Sequence, residues 1–175
     1  MTIVIFNSQR TKKINLRLLK QITQALLVEL KIENAELGIH LVATREMTLV
    51  NKTFLKHAGS TDVITFDYGE NLGRASGLPN EPLEWEMDRL EACPTLSGEL
   101  FVCVDEAVSQ ANNFKTSWPS EIVRYIVHGI LHLLGHDDLK PDLRRKMKRE
   151  ENRLLRGLAK KFSLAQIGGG SKLRA

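Results

Sequence analysis

The sequence contains no long apolar run: no stretch approaches the roughly 20 apolar residues that a membrane-spanning helix requires. We therefore predict a protein without a membrane partner. The first seven residues lack the basic leader of a secretion signal and are predicted to form a β-strand instead. The sequence has two cysteines, Cys93 and Cys103, whose spacing is not that of a metal site. We predict that both are reduced thiols in a cytoplasmic protein.

Aromatic residues are also scarce, at 6% of the chain, and they do not alternate with the basic residues near the C-terminus. From Leu139 onward the chain carries twelve Lys and Arg against three acidic residues, although the whole chain has a formal charge of only +4. This asymmetry is typical of a protein that meets a polyanion without reading its sequence. A solvated helix face with a basic tail explains the same charges equally well.

The pattern of apolar residues predicts strands that alternate with helices. Asn15, Thr44 and Ser117 are the residues expected to cap three of the helices, and Phe54 is expected to face the core. The predicted strands cover residues 2–7, 37–43, 61–67 and 98–104. The predicted helices cover residues 15–30, 44–54, 105–113 and 141–162, with a further helix from Ser117 to the break at Gly135.

These elements predict a single α+β domain over residues 1–162, with a small mixed four-stranded sheet packed against about five helices. Hydrophobic residues at 42% and charged residues at 26% of a 175-residue chain fit one soluble domain with its own core. Residues 69–96 are interpreted as an irregular surface insertion. Residues 163–175 are predicted to be a disordered basic tail.

One helix carries the pattern of a metal site. His128 and His132 are four residues apart, so their imidazoles project from one helical face and can reach one ion. Gly135 can end the helix and turn the chain back, which brings Asp138 toward the same ion as a third ligand. His136 is the alternative third ligand. Asp137 is a candidate to orient an imidazole as a hydrogen-bond acceptor.

The spacing of these residues resembles the zinc helix of the metzincin peptidases. Those enzymes place a Glu after the first His, where it acts as the general base, whereas this sequence has Gly129. A hydrolytic zinc site needs three protein ligands and one open position for water. The sequence therefore predicts such a metal helix without the peptidase base.

Residues 128–138 also resemble the signature of the YbeY family of metal-dependent endoribonucleases, H-G-x-L-H-L-x-G-[YH]-D-H. Residues 51–54 followed by residues 61–66 are similar to the family pattern N-x-x-[YF]…T-[DN]-V-[LI]-[ST]-F. Residues 98–100, Gly-Glu-Leu, are similar to the family's G-[DE]-I. The three motifs occur in the family's order over about residues 51–138, and the flanking elements fit its α+β layout.

The resemblance implies a single-strand-specific endoribonuclease that matures the 3′ end of small-subunit rRNA and contributes to ribosome quality control. It implies one Zn²⁺ ion per chain, held by His128, His132 and Asp138, and a metal-activated water molecule as the nucleophile. The implied partners are single-stranded rRNA and the ribosome or its subunits, with no DNA. The residues do not identify a general base.

Two residues depart from the family pattern. Asp138 stands where the signature ends in His, which moves that ligand role to a carboxylate. Leu55 stands where the family has an Arg that is thought to contact RNA phosphate, and Lys56 or His57 is the candidate replacement. These departures keep open a non-catalytic ribosome-binding or assembly factor with a structural metal. A zinc metallopeptidase is the third alternative, and Gly129 argues against it.

Overall fold

The computed structural model describes residues 1–56, 59–69 and 95–169. The strands among them are β1 (Thr2–Asn7), β2 (Asn34–Val42), β3 (Val63–Asp67) and β4 (Thr95–Cys103). The α-helices are α1 (Leu16–Glu29), α2 (Thr44–Val50), α3 (Val104–Phe114), α4 (Trp118–Leu133) and α5 (Pro141–Lys161). A π-helical turn, Asn51–Leu55, follows α2, and a 3-10 helix, Leu164–Gly168, follows α5. Among the described helices, no segment combines the length and hydropathy that crossing a bilayer requires.

The four strands form one sheet in the order β1-β2-β4-β3. β1 and β4 are both parallel to β2, whereas β3 runs antiparallel to β4 along the sheet edge. The sheet is therefore mixed and four-stranded. This arrangement confirms the predicted α+β class.

One face of the sheet packs against α1 and α4, and α5 packs against these two helices to complete the main core. Alternate residues of the two central strands are buried there, among them Ile39 of β2 and Leu100 of β4. α4 lies in contact with β3, β4, α3 and α5, and its apolar side chains such as Ile126 and Ile130 are buried. The opposite face is covered in part by α2, which buries Met47. The metal-motif helix is thus a central element of the core.

Local hydrogen bonding determines where the helices begin. The side chains of Asn15 and Ser117 accept bonds from backbone N–H groups of α1 and α4, as predicted. The prediction for Thr44 is wrong: the N-cap is Ala43, and the Thr44 hydroxyl donates instead to the carboxylate of Asp105. The prediction that Phe54 faces the core is also wrong, because the π-helical turn leaves it 62% exposed.

The folded part of the chain continues beyond the predicted boundary at residue 162. Leu164 and Ile167 of the 3-10 helix are buried in the main core, and the Ile167 carbonyl accepts a bond from the Asn15 N–H. The predicted tail from residue 163 rests on its glycines and basic residues. Leu164 and Ile167 are apolar and gain stability by burial, so the fold extends past this boundary. Residues 170–175 and most of the predicted insertion, including Cys93, lie outside the described residues. Cys103 is buried as a free thiol.

Candidate metal centre

The last two turns of α4 place two histidines side by side. The Nε2 atoms of His128 and His132 are 3.0 Å apart, and the ring centroids are 4.6 Å apart in an edge-to-face arrangement. Two nitrogens bound to one tetrahedral zinc ion lie about 3.3 Å apart, given Zn–N distances of about 2.05 Å. The helical spacing alone therefore brings the histidines to the separation of a shared ligand pair.

The turn after α4 brings a carboxylate to this pair. Gly135 has φ of +83°, a conformation that costs little for a residue without a Cβ, and its N–H donates to the His132 carbonyl. The chain then reverses, and one carboxylate oxygen of Asp138 comes within 4.8 Å of the ligand nitrogens of both histidines. We call these three residues the His–His–Asp group.

The other ring nitrogens are held by acceptors on different elements. Nδ1 of His128 lies 3.2 Å from Oε2 of Glu151, and Nδ1 of His132 lies 3.0 Å from the backbone carbonyl of His136. Both acceptors favour a proton on Nδ1, so the Nε2 lone pairs face each other. Two facing lone pairs repel unless a cation lies between them. The donor set therefore fits a divalent metal ion.

Glu151 of α5 contacts His128, and the sequence did not predict this contact. Its carboxylate is 4% exposed and also receives bonds from Arg124 of α4 and Lys148 of α5. Burial alone would raise the pKa of Glu151, but the hydrogen bonds from His128, Arg124 and Lys148 outweigh it and lower the pKa to about 2. Glu151 is therefore an anion that orients His128 and joins α4 to α5.

The neighbours of Asp138 have other roles. The side chain of His136 is exposed and outside the His–His–Asp group, and His136 contributes its backbone carbonyl to His132. Asp137 does not orient an imidazole, because its Oδ1 accepts a bond from the Leu139 N–H. Arg144 donates to the backbone carbonyl of Asp138 and thereby fixes the turn that presents this carboxylate.

Gly129 lies where α4 approaches the sheet most closely. A Cβ on Gly129 would lie 2.6 Å from Cδ2 of Leu100 and 3.2 Å from Cγ2 of Thr65. The first distance is far below van der Waals contact, so this face of the helix has no room for a glutamate. The base of the zinc peptidases is therefore absent for a steric reason as well as by sequence.

A cavity of about 510 Å³ borders the His–His–Asp group between α4 and α5. We call it the α4–α5 cavity. Its lining includes His128 and Asp138, four basic residues and two further carboxylates: Arg124, Arg144, Arg145, Lys148, Asp62 and Glu151.

Of the two residues predicted to contact RNA, the structure describes only Lys56. Lys56 is exposed directly after the π-helical turn, with φ of 56°, and is not part of the cavity wall. His57 lies outside the described residues. Their role in RNA binding stays a prediction.

Comparison with known proteins identifies similar sequences. A family model described as Endoribonuclease YbeY matches residues 4–159. The protein named Endoribonuclease YbeY from Myxococcus xanthus is 33% identical over 139 residues, which cover 79% of this chain and 42% of that protein. The protein of the same name from Sulfurihydrogenibium sp. is 30% identical over 135 residues, 77% of each chain. The chain spans 61% of the relative from Chlorobium phaeovibrioides, to which it is 34% identical over 112 residues.

The fold has a solved counterpart. The solution structure of TM1509 from Thermotoga maritima superposes with a TM-score of 0.60 over 99% of both chains, at 21% sequence identity. At this identity the likeness supports the fold alone.

Proposed function

Because the chain belongs to the YbeY endoribonuclease family, we propose that it is a metal-dependent endoribonuclease that cleaves single-stranded rRNA. The observation that carries the proposal is the His–His–Asp group, whose candidate ligand atoms lie within 4.8 Å of one another beside a cavity that exposed basic residues of α5 help to line. In support of the proposal, candidate ligands for a hydrolytic metal lie beside groups that attract a phosphodiester backbone.

The proposed metal is one Zn²⁺ ion, held by Nε2 of His128, Nε2 of His132 and a carboxylate oxygen of Asp138. When bound, the ion lowers the pKa of a water molecule and offsets negative charge on the phosphoryl oxygens. Asp138 adds an anionic ligand where the family signature has a neutral imidazole, so we expect a less electrophilic ion. Glu151 and the His136 carbonyl keep both imidazoles oriented with Nε2 toward the ion.

The protein side chains attract and hold the RNA. Arg144, Arg145 and Lys148 lie at the exposed wall of the α4–α5 cavity, where they can neutralise phosphates next to the scissile bond. Leu55 is 46% exposed and supplies no phosphate contact, so we assign this task to the basic residues of α5. Lys56 and His57 remain candidates for additional RNA contacts.

The biological setting is the finer part of the proposal. We place the activity in the cytoplasm, in maturation of the 3′ end of small-subunit rRNA and in ribosome quality control, with the ribosome or its subunits as partner. The support is family membership together with the excess of basic over acidic residues from Leu139 onward, which suits rRNA as a polyanionic partner.

The test is cleavage of single-stranded rRNA fragments by the zinc-replete protein and by His128→Ala at equal protein concentration. We expect the wild type to cleave and the variant to lose at least about 100-fold in rate, because one of three ligands is removed. Asp137→Ala is the matched control and should cleave like the wild type, since Asp137 contacts only its own turn. Equal cleavage by a folded His128→Ala variant would refute the proposal.

A second function is favoured by one observation, the exposed apolar Leu55 in place of the family Arg. It is a non-catalytic ribosome-binding factor with a structural metal. Sedimentation with ribosomal subunits discriminates the two. Association that is unchanged in His132→Ala, together with a wild type that does not cleave rRNA, would favour the binding factor.

A further inference from the structure

The floor of the α4–α5 cavity contains a polar group without a partner. Tyr125 is 4% exposed, and its hydroxyl oxygen is buried with no hydrogen bond to any described residue. A buried hydroxyl that makes no bond costs about 1–3 kcal/mol, so most such groups are satisfied by protein, water or ligand. Tyr125 precedes His128 by three residues and therefore lies on the same face of α4. Tyr125 and His128 both line the α4–α5 cavity.

The cavity wall has two chemically different zones. Its floor contains the ring of Tyr125 and the side chain of Met147, which are 4% and 2% exposed. Its rim contains Arg144, Arg145 and Lys148, which are exposed. A ligand that fills both zones has a flat, hydrogen-bonding part for the floor and an anionic part for the rim. A ribonucleotide has this construction, and a volume of about 510 Å³ is large enough for one.

We propose that the α4–α5 cavity is a nucleotide subsite, in which the nucleoside adjoining the scissile phosphate contacts the Tyr125 hydroxyl while its phosphate stays at the basic rim. The inference rests on the proposed function, since the strand must pass the His–His–Asp group. Burial raises the pKa of Tyr125, and the nearby carboxylates of Asp62 and Glu121 raise it further, so the hydroxyl stays protonated and can donate.

The rim and the floor have separate consequences for binding. Arg145 pairs with Asp142 at the surface and can still attract phosphate. Arg145→Gln should therefore lower the affinity for phosphate and the affinity for nucleotide by the same factor. Tyr125→Phe removes one oxygen from the floor and leaves the rim intact. Tyr125→Phe should therefore lower the affinity for the nucleotide and leave the affinity for phosphate unchanged.

The experiment is calorimetric titration of the zinc-replete protein with the four ribonucleoside 5′-monophosphates and, separately, with inorganic phosphate. A monophosphate contains no phosphodiester bond, so the result does not depend on cleavage. We expect the wild type to bind at least one nucleotide about ten-fold more tightly than phosphate, and Tyr125→Phe to lose about five-fold for that nucleotide alone. Tyr68→Phe is the matched control and should bind like the wild type, because Tyr68 donates to Glu99 on the sheet.

Two results would overturn the subsite: nucleotide binding no tighter than phosphate in the wild type, or undiminished nucleotide binding by Tyr125→Phe. Thermal unfolding of Tyr125→Phe checks the fold, and its Tm should equal or exceed that of the wild type, since an unsatisfied group is removed. Parallel cleavage of single-stranded rRNA separates the two proposals. Tyr125-dependent nucleotide binding in a protein that cleaves no RNA would retain the subsite and reject the nuclease.

Discussion

Each histidine of the His–His–Asp group divides its two ring nitrogens between different tasks. Nε2 faces the proposed ion, whereas Nδ1 bonds to Glu151 or to the carbonyl of His136. Such acceptors fix the orientation and the tautomer of each ring before an ion binds. Ion binding therefore costs less side-chain conformational entropy. The candidate site therefore depends on three segments of the chain: the end of α4, the turn after it, and the middle of α5.

The first prediction concerns Asp138. Asp138→Ala should weaken zinc binding by at least about 100-fold, because it removes one of three ligands, whereas Asp138→His should restore it by supplying the imidazole of the family signature. Competition with a chromophoric chelator measures both affinities. Asp137→Ala controls for damage to the turn and should retain the wild-type affinity. Equal zinc binding by Asp138→Ala and the wild type would mean that another group is the third ligand.

The second prediction concerns Glu151. Glu151→Gln keeps the shape but removes the charge that faces His128, Arg124 and Lys148, so unfolding should become easier by about 2 kcal/mol. Zinc affinity should fall about 10–100-fold through the loss of the His128 acceptor. Urea unfolding and chelator competition measure the two effects. Glu150→Gln, one residue earlier at the surface, should change each of them little, and equal effects from both variants would contradict a specific role of Glu151.

The sequence predicted the proximity of the three candidate ligands better than it predicted the residues that support them. His128, His132 and Asp138 are close in sequence, so helical spacing and one glycine turn are enough to predict that they meet. Glu151 contacts His128 across 23 residues, and this contact depends on how α5 packs beside α4. One signal was available: Glu151 lies on the apolar stripe of α5, four residues after Met147, where an unpaired charge would be costly.

At the scale of elements, the contact between α4 and the sheet depends on a residue without a side chain. The third prediction is that Gly129→Ala destabilises the fold by about 1–3 kcal/mol, because its Cβ would overlap Leu100, despite the better helix propensity of alanine. Gly157→Ala is the matched control, since nothing lies within 4 Å of a Cβ there. It should stabilise the protein by about 0.5–1 kcal/mol. Chemical unfolding measures both, and equal effects would contradict the packing argument.

The fourth prediction concerns the 3-10 helix after α5. A chain that ends at residue 162 loses Leu164 and Ile167 from the core, and burial of two such side chains contributes about 3 kcal/mol or more. A chain that ends at residue 169 keeps both and should unfold like the full-length protein. Comparing their urea midpoints tests whether the domain includes residues 163–169. Identical midpoints would place the boundary at 162 after all.

The first residue of a helix could be predicted where a local side-chain hydrogen bond determines it. The prediction failed where a residue distant in sequence competes for that hydrogen bond. Asn15 and Ser117 cap their own helices within three residues. Thr44 has the same capping chemistry, but Asp105, 61 residues away, takes its hydroxyl and its backbone N–H. The burial of Leu164 and Ile167 likewise depends on their distant neighbours in the core.

At the scale of the whole molecule, a bound ion should stabilise the fold. The fifth prediction is that chelation lowers the Tm and that added zinc restores it, because a ligand that binds only the native state shifts unfolding by mass action. At a concentration 100 times Kd, the stabilisation is about 2.7 kcal/mol. Scanning calorimetry measures the shift. His128→Ala should show the same Tm with and without zinc, and an undiminished shift in this variant would place the stabilising ion elsewhere.

The position of β4 has a consequence for synthesis of the chain. β1 and β2 pair with each other as soon as both exist, but β3 pairs with β4, which is made later and inserts between β2 and β3. Pairings between strands distant in sequence form slowly, because loop-closure entropy is lost before contacts form. α4 packs on β3 and β4, so the histidines acquire their support last. We therefore expect a nascent chain to retain a metal ion at the His–His–Asp group only after nearly all of the chain has left the ribosome, so that metal retention would report completed folding.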